Sequence, residues 1–251
     1  MTILALLERN IKWRFNNKFT IVITILQPML WLILYSAVAS QTMSGLGINN
    51  YTEFILPGLI MLVSFGACSS SGIMNYLMKN DGSFYRILIA PISRKFIVLG
   101  QLLEAVICTF LEVGIMFLVS LFFSVKIHTS LLAFLIILLI IFFTALCLAS
   151  ITYLISLALP NEVVYETAMN AIVLPIFFLS TALFPADKLT GALSVAISLN
   201  PFTHIINLIR ALLSGDPINE LQIIIILGLI IIIAIFSFSL AVSKLSKETN
   251  I

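Results

Sequence analysis

KNDGSFYRILIAPISRK, residues Lys79–Lys95, is the main polar interruption in the first half of a very apolar chain. Long hydrophobic runs precede and follow it. It carries Lys79, Asp81, Arg86, Arg94 and Lys95, with breakers at Gly82 and Pro91. Between the breakers, Ser83–Ala90 has room for about two helical turns, with Phe84, Ile87 and Leu88 on one side and Tyr85 and Arg86 turned elsewhere. Such a helix, flanked by positive charge, is what a membrane protein would offer to a cytosolic partner. A solvated loop between two spans is the plainer alternative.

Composition sets the class around that stretch. Of 251 residues, 61% are hydrophobic and 10% charged, and the mean hydropathy is +1.18. Soluble domains are nearer 45–50% apolar and about 25% charged. At roughly 20 residues per span the chain holds about six spans and short loops, with no room for a large soluble domain. A net charge of +2 says nothing about nucleic acid, and no nucleic-acid partner is expected; what matters is where the charges lie. Cys68, Cys108 and Cys147 are scattered through apolar runs and read as small buried residues, neither a disulfide framework nor a metal site.

Residues 1–18 lack the pattern of a signal peptide, because Arg9, Lys12, Arg14 and Lys18 follow the first short apolar stretch. Leu4, Leu7 and Ile11 recur at helical spacing, so the segment reads as a basic amphipathic helix in the cytoplasmic interface, or more simply as a basic flank. Spans are expected at 19–39, 53–78, 96–125, 129–158, 163–184 and 221–242. The loop Ser40–Thr52, with Gly45 and Gly47, has no Lys or Arg and should be external. The run Ser64, Gly66, Ala67, Ser69, Ser70, Ser71 and Gly72 suits close helix packing, and equally a polar lining.

Glu104 and Glu112 stand in the third span, within about 80° of each other around a helix. A carboxylate there should face a partner, the protein interior or water, so both are candidates for a pathway or a proton-sensitive gate. A cytoplasmic-interface position for Glu104, or a structural role for either, competes with that. Lys126-Ile127-His128 and Pro160-Asn161-Glu162 read as short turns, and Pro185-Ala186-Asp187-Lys188 breaks the apolar run after Phe184. Asn200 is a good N-cap with Pro201 at the first helical position, and Gly215-Asp216-Pro217 ends the helix Phe202–Ser214. At roughly 20 Å that helix is too short to cross a hydrocarbon core of about 30 Å. Residues 185–217 therefore read as an external re-entrant helical pair, on which His204 is a satisfied structural residue. Arg210 should reach the interface or an acidic group such as Asp216 or Glu220.

With both termini inside, Arg9, Lys12, Arg14, Lys18, Lys79, Arg86, Arg94, Lys95, Lys244 and Lys247 lie inside, against Lys126, Lys188 and Arg210 outside. That distribution obeys the positive-inside rule. The chain has no phosphate-binding G-x-x-x-x-G-K-[ST] loop, H-E-x-x-H or C-x-x-C motif, so any energy for work comes from a partner chain or an ion gradient.

Three stretches together resemble the permease subunits of type-2 ATP-binding-cassette exporters, drug-exporter-like members in particular. They are the Phe54–Gly58 opening of the second span, the segment Gly82–Arg94, and the ordered features of Leu174–Arg210, namely Phe184-Pro185, Asn200-Pro201 and Arg210. Tyr85 stands where many members carry an acidic residue. The resemblance implies an all-α integral membrane protein with six transmembrane helices, an N-terminal interfacial helix and a re-entrant hairpin before the last span. It implies a non-enzymatic subunit paired with a second permease copy, with ATP and Mg on two separate cytosolic ATPase subunits. Gly82, Ser83, Phe84, Tyr85, Arg86, Ile87 and Leu88 would form the helix coupling to the ATPase. Glu104, Glu112, Phe184, Pro185, Asn200, Pro201 and Arg210 would be pathway or gate candidates. The expected activity is export of a small amphipathic molecule (a drug, peptide or lipid-like compound) from a multi-pass plasma-membrane homodimer with cytoplasmic termini. Export of a lipid-linked polysaccharide, proton-coupled transport through Glu104 or Glu112, and a non-transporting scaffold are the competing readings.

Overall fold

The computed structural model describes residues 2–16, 18–42, 50–123, 125, 128–185, 191–217 and 219–248. The Gly45–Gly47 loop, Lys126, Ile127 and the Ala186–Lys188 break lie outside them. Among the described residues the chain forms ten helices and no strand. They are α1 (Thr2–Arg14), α2 (Lys18–Thr42), α3 (Tyr51–Asn80), α4 (Ser83–Leu88), α5 (Arg94–Phe122), α6 (Leu131–Ala158), α7 (Glu162–Phe178), α8 (Ala192–Leu199), α9 (Pro201–Ser214) and α10 (Glu220–Glu248). Helices α2, α3, α5, α6 and α10 are each long and apolar enough to cross a membrane.

The small-residue helix α3 is the most enclosed of these, with α2, α5, α6, α7 and α9 packed around it. Without a hydrophobic drive between helices in lipid, close approach is what holds such a bundle together. A methyl group at Gly72 would overlap the Tyr165 hydroxyl, which donates to the Ser69 carbonyl at 3.0 Å. At Gly58 a methyl would lie 2.6 Å from Ala182 Cβ and 2.7 Å from its Cα. Because the second contact is backbone, Gly58→Ala should destabilise the protein by about 1–3 kcal/mol, the usual cost of overpacking. Reversible unfolding in mixed micelles reads that loss directly.

The fifth expected span, over 163–184, is not one continuous helix. Helix α7 has 17 residues, roughly 25 Å, and its axis ends at Phe178. Turns through Ser180–Leu183 complete the climb, and Tyr51 Oη, at the start of α3, donates to the Leu183 carbonyl at 2.6 Å. Backbone at that depth needs protein partners. Asn200 supplies them, its side-chain amide donating to the Ile176 and Leu179 carbonyls at 2.7 Å each. The same residue caps α9 by accepting from the Phe202 amide at 3.0 Å.

The re-entrant pair follows from these contacts. Helices α8 and α9 meet at a 74° bend. Just after the bend, the Phe202 ring lies 4.8 Å from that of Phe65, halfway along the 30-residue α3. From there α9 returns to the start of α3, where Arg210 bonds the Phe54 carbonyl. Gly215 ends it in the left-handed conformation (φ 75°) against the His128 backbone. Leu183 before the pair and Arg210 near its end thus sit at the same end of the molecule. At the opposite end, Leu6 of α1, Phe84 and Ile87 of α4 and Leu245 of α10 share one apolar cluster. Both ends of the described chain therefore lie together.

Candidate functional site

Helix α4 is built as a presented turn. Gly82 adopts φ 76°, a conformation that β-carbons disfavour, and reverses the chain after α3. The Asp81 carboxylate accepts from the Ser83 amide at 2.8 Å. Bonds from the Ser83 side chain and backbone hold its carboxyl below the usual carboxylate range. Phe84 and Ile87 are buried against Leu6, Met74, Met78 and Ile97, while Leu88 is partly buried. Arg94 Nη1 fastens the far end by donating to the Leu88 carbonyl at 2.9 Å. The opposite face is open: Arg86 is exposed, Tyr85 is 59% exposed and Ile89 is 85% exposed. Two large side chains and a cation are thus left uncovered on an anchored helix and the residue after it.

Helix α1 lies beside α4 and reaches the spans through polar contacts that burial makes consequential. Leu6 packs on Gly100. Arg9 Nη2 donates to Met78 Sδ at 2.9 Å, and Asn10 donates to Gln101 Oε1 at 3.2 Å. Arg14 Nη1 lies 3.0 Å from Glu104 Oε1, with Arg14 6% and Glu104 0% exposed. Ser71 Oγ donates to Glu104 Oε2 at 2.7 Å, and Gln101 Nε2 donates to Ser71 Oγ at 3.0 Å. Thus α1, α3 and α5 are tied by one charged network. Glu104 is enclosed by protein here, facing the interfacial helix and not an open path.

Glu112 lies two turns further along α5 in different surroundings. It is 8% exposed and lines a groove of about 460 Å³ between α2, α3, α5 and α7. Gln27 and Trp31 enter from α2, Ser69 and Ser70 from α3, and Glu166 and Asn170 from α7. An acidic residue at the centre of a membrane helix costs ~2.5–3.5 kcal/mol to insert, so one placed beside polar groups in a groove is a candidate functional residue. Glu166 and Asn170 were not among the sequence candidates. Their signal is the spacing Glu162, Glu166, Asn170, which puts three polar groups on one face of an otherwise apolar helix.

Where α3 begins, the chain packs around Arg210. Arg210 meets neither Asp216 nor Glu220, the acidic groups expected as alternatives to the interface. It donates to the carbonyls of Phe54 (3.1 Å) and Thr181 (2.7 Å) and to Asn207 Oδ1 (2.8 Å). Its guanidinium also lies 3.9 Å from the centre of the Phe54 ring. The turn after α7 leaves carbonyls without helical partners, and a planar five-donor fork satisfies them better than one carboxylate could use it. Asn200 and Pro201 hold the α8–α9 bend, Phe184 is exposed and Pro185 half-buried. His204 is satisfied locally, with Nε2 2.9 Å from the Ser198 carbonyl.

The family model described as ABC-2 type transporter matches residues 1–214, from α1 to the end of α9. The chain belongs to the ABC-2 type transporter family. Among relatives of this ABC-2 chain is the ycf38 protein of Cyanophora paradoxa, named a transport permease, 29% identical over 79% of this chain and 69% of its own. The ycf38 protein of Porphyra purpurea is also 29% identical, over 86% of this chain and 75% of its own. Nodulation protein J of Rhizobium leguminosarum bv. trifolii is 24% identical over 86% of this chain and 83% of its own. ABC-2 membership agrees with the permease resemblance of the sequence motifs and makes this chain a multi-pass membrane protein of a transporter family.

Proposed function

We propose that the chain is the permease subunit of an exporter that moves a small amphipathic molecule outward, using ATP hydrolysed with Mg on separate ATPase subunits. Two copies of the chain, each docked to one ATPase, would make the working unit. The end bearing α1, α4 and the close of α10 faces the cytoplasm of the plasma membrane, in keeping with its ten basic residues. The observation that carries this reading is α4 itself. Its Phe84 and Ile87 are locked into the bundle while Tyr85, Arg86 and Ile89 are offered to a partner. A push on that patch passes to α1 through the shared cluster, and from α1 to α5 and α3 through Arg14, Glu104 and Ser71. The groove beside Glu112 is the cargo path, and the packing around Arg210 closes its outer end.

The test is purification from the native membrane with mild detergent, followed by mass spectrometry and an ATPase assay. A stoichiometric ATPase should accompany the protein. Replacing Tyr85 and Arg86 by Ala and Glu, which leaves the buried face untouched, should reduce that association at least tenfold while the permease still assembles. Undiminished ATPase binding and transport in that variant would remove α4 as the docking element.

A further inference from the structure

The groove's charge is not balanced. Its lining contains the carboxylates of Glu112 and Glu166 and no Lys, Arg or His. Glu112 is more than nine-tenths buried, and among the described residues no hydrogen bond or ion pair reaches its side chain. The nearest positive charge, Arg14, pairs directly with Glu104 at 3.0 Å and acts on Glu112 only through space. Counting Glu104, Glu112 and Glu166 against Arg14, the region carries two negative charges in excess when its carboxyls are ionised. In surroundings of low dielectric a carboxylate shared with a second one for a single counter-charge is unfavourable, and a cation brought in from outside relieves it.

The rest of the lining says what kind of cation. Leu62, Val63, Phe65, Met169 and Val173 make apolar walls, and the indole of Trp31, 37% exposed, offers a π face. About 460 Å³ is a volume suited to a small organic molecule rather than a bare ion. Among the described residues no group of His, Cys, Asp and Glu is placed to hold a metal. Gln27, Ser69, Ser70 and Asn170 add neutral hydrogen-bonding groups, as a cargo with an amine would use.

Resting on the permease reading above, we propose that this groove selects an organic cation: an amphipathic amine or quaternary ammonium whose charge sits against Glu112 and whose apolar part lies along α3 and α7. Glu166, exposed at the groove, receives the charge first, and Glu112 holds it at depth. Anionic amphiphiles are excluded by the same two carboxylates.

The experiment measures binding of radiolabelled tetraphenylphosphonium to the full-length protein, with its co-purifying subunits, in nanodiscs. Tetraphenylborate, of matching shape and opposite charge, is the control. Saturable tetraphenylphosphonium binding is expected, weakened at least tenfold by Glu112→Gln and three- to tenfold by Glu166→Gln, with no saturable tetraphenylborate binding. Glu166→Gln lies on an exposed face and keeps the test decisive should the buried variant fail to fold. Equal binding of both probes, or wild-type affinity in both variants, would overturn the inference. ATPase co-purification is scored on the same samples. ATPase present without cation selectivity defeats the cargo assignment and leaves the permease reading intact. Cation selectivity without any ATPase upholds the site and removes the ATP-driven reading.

Discussion

Arg14→Ala should cost about 3–5 kcal/mol of stability, because it leaves Glu104 fully enclosed without its counter-charge. Glu104→Ala should cost a similar amount by stranding the guanidinium. The pair itself is worth much less than either loss suggests. Taking two ions out of water offsets most of their mutual attraction, so an apolar pair of similar volume, Arg14→Met with Glu104→Leu, should recover most of the stability. Reversible unfolding in mixed micelles, run as a double-mutant cycle, reads the coupling. The same double variant separates packing from mechanism. If the network transmits motion from α1 to the spans, the refolded double variant should keep its ATPase partner but lose most transport-coupled hydrolysis. Singles that are as stable as the wild type would mean that water or lipid reaches Glu104 after all.

Arg210→Ala is the second large loss, expected at about 3–5 kcal/mol. It removes charge-assisted bonds to two main-chain carbonyls and Asn207, each worth roughly 1.5–3 kcal/mol before relaxation, together with the stacking on Phe54. Arg210→Lys should recover less than half of this. One ammonium keeps the charge but cannot hold the planar fork that spans Phe54, Thr181 and Asn207. Limited proteolysis offers an independent readout, with cleavage rising at the turn after α7 once its carbonyls lose their donor. A lysine variant as stable and protected as the wild type would reduce the role of Arg210 to charge alone.

Much of this was legible in the chain. The helix at Ser83–Leu88, its buried Phe84 and Ile87 and its outward Tyr85 and Arg86 follow from a glycine, a proline and a two-turn pattern between them. The cap at Asn200, the proline after it and the end at Gly215 are local signals, written in a few adjacent residues whose backbone preferences need no distant partner. The premature end of α7 was not legible. Its apolar run continues smoothly past Phe178, and only the two bonds from Asn200, 21 and 24 residues away, make a break in the helix tolerable there.

The candidate site divides along the same line. Sequence alone determined that Glu104, Glu112 and Arg210 lie in apolar surroundings and must be answered by something, because charge in lipid is costly whatever the fold. Which partner answers each was decided by tertiary structure. Arg14 is 90 residues from Glu104 and Arg210 is 156 from Phe54, and no periodicity spans such distances. Glu104 and Glu112 share one helix and nearly one face, yet one is neutralised by α1 while the other opens on the groove beside α7. That difference arises from which neighbouring helices pack at each level, a property of the assembled bundle and not of any one stretch of chain.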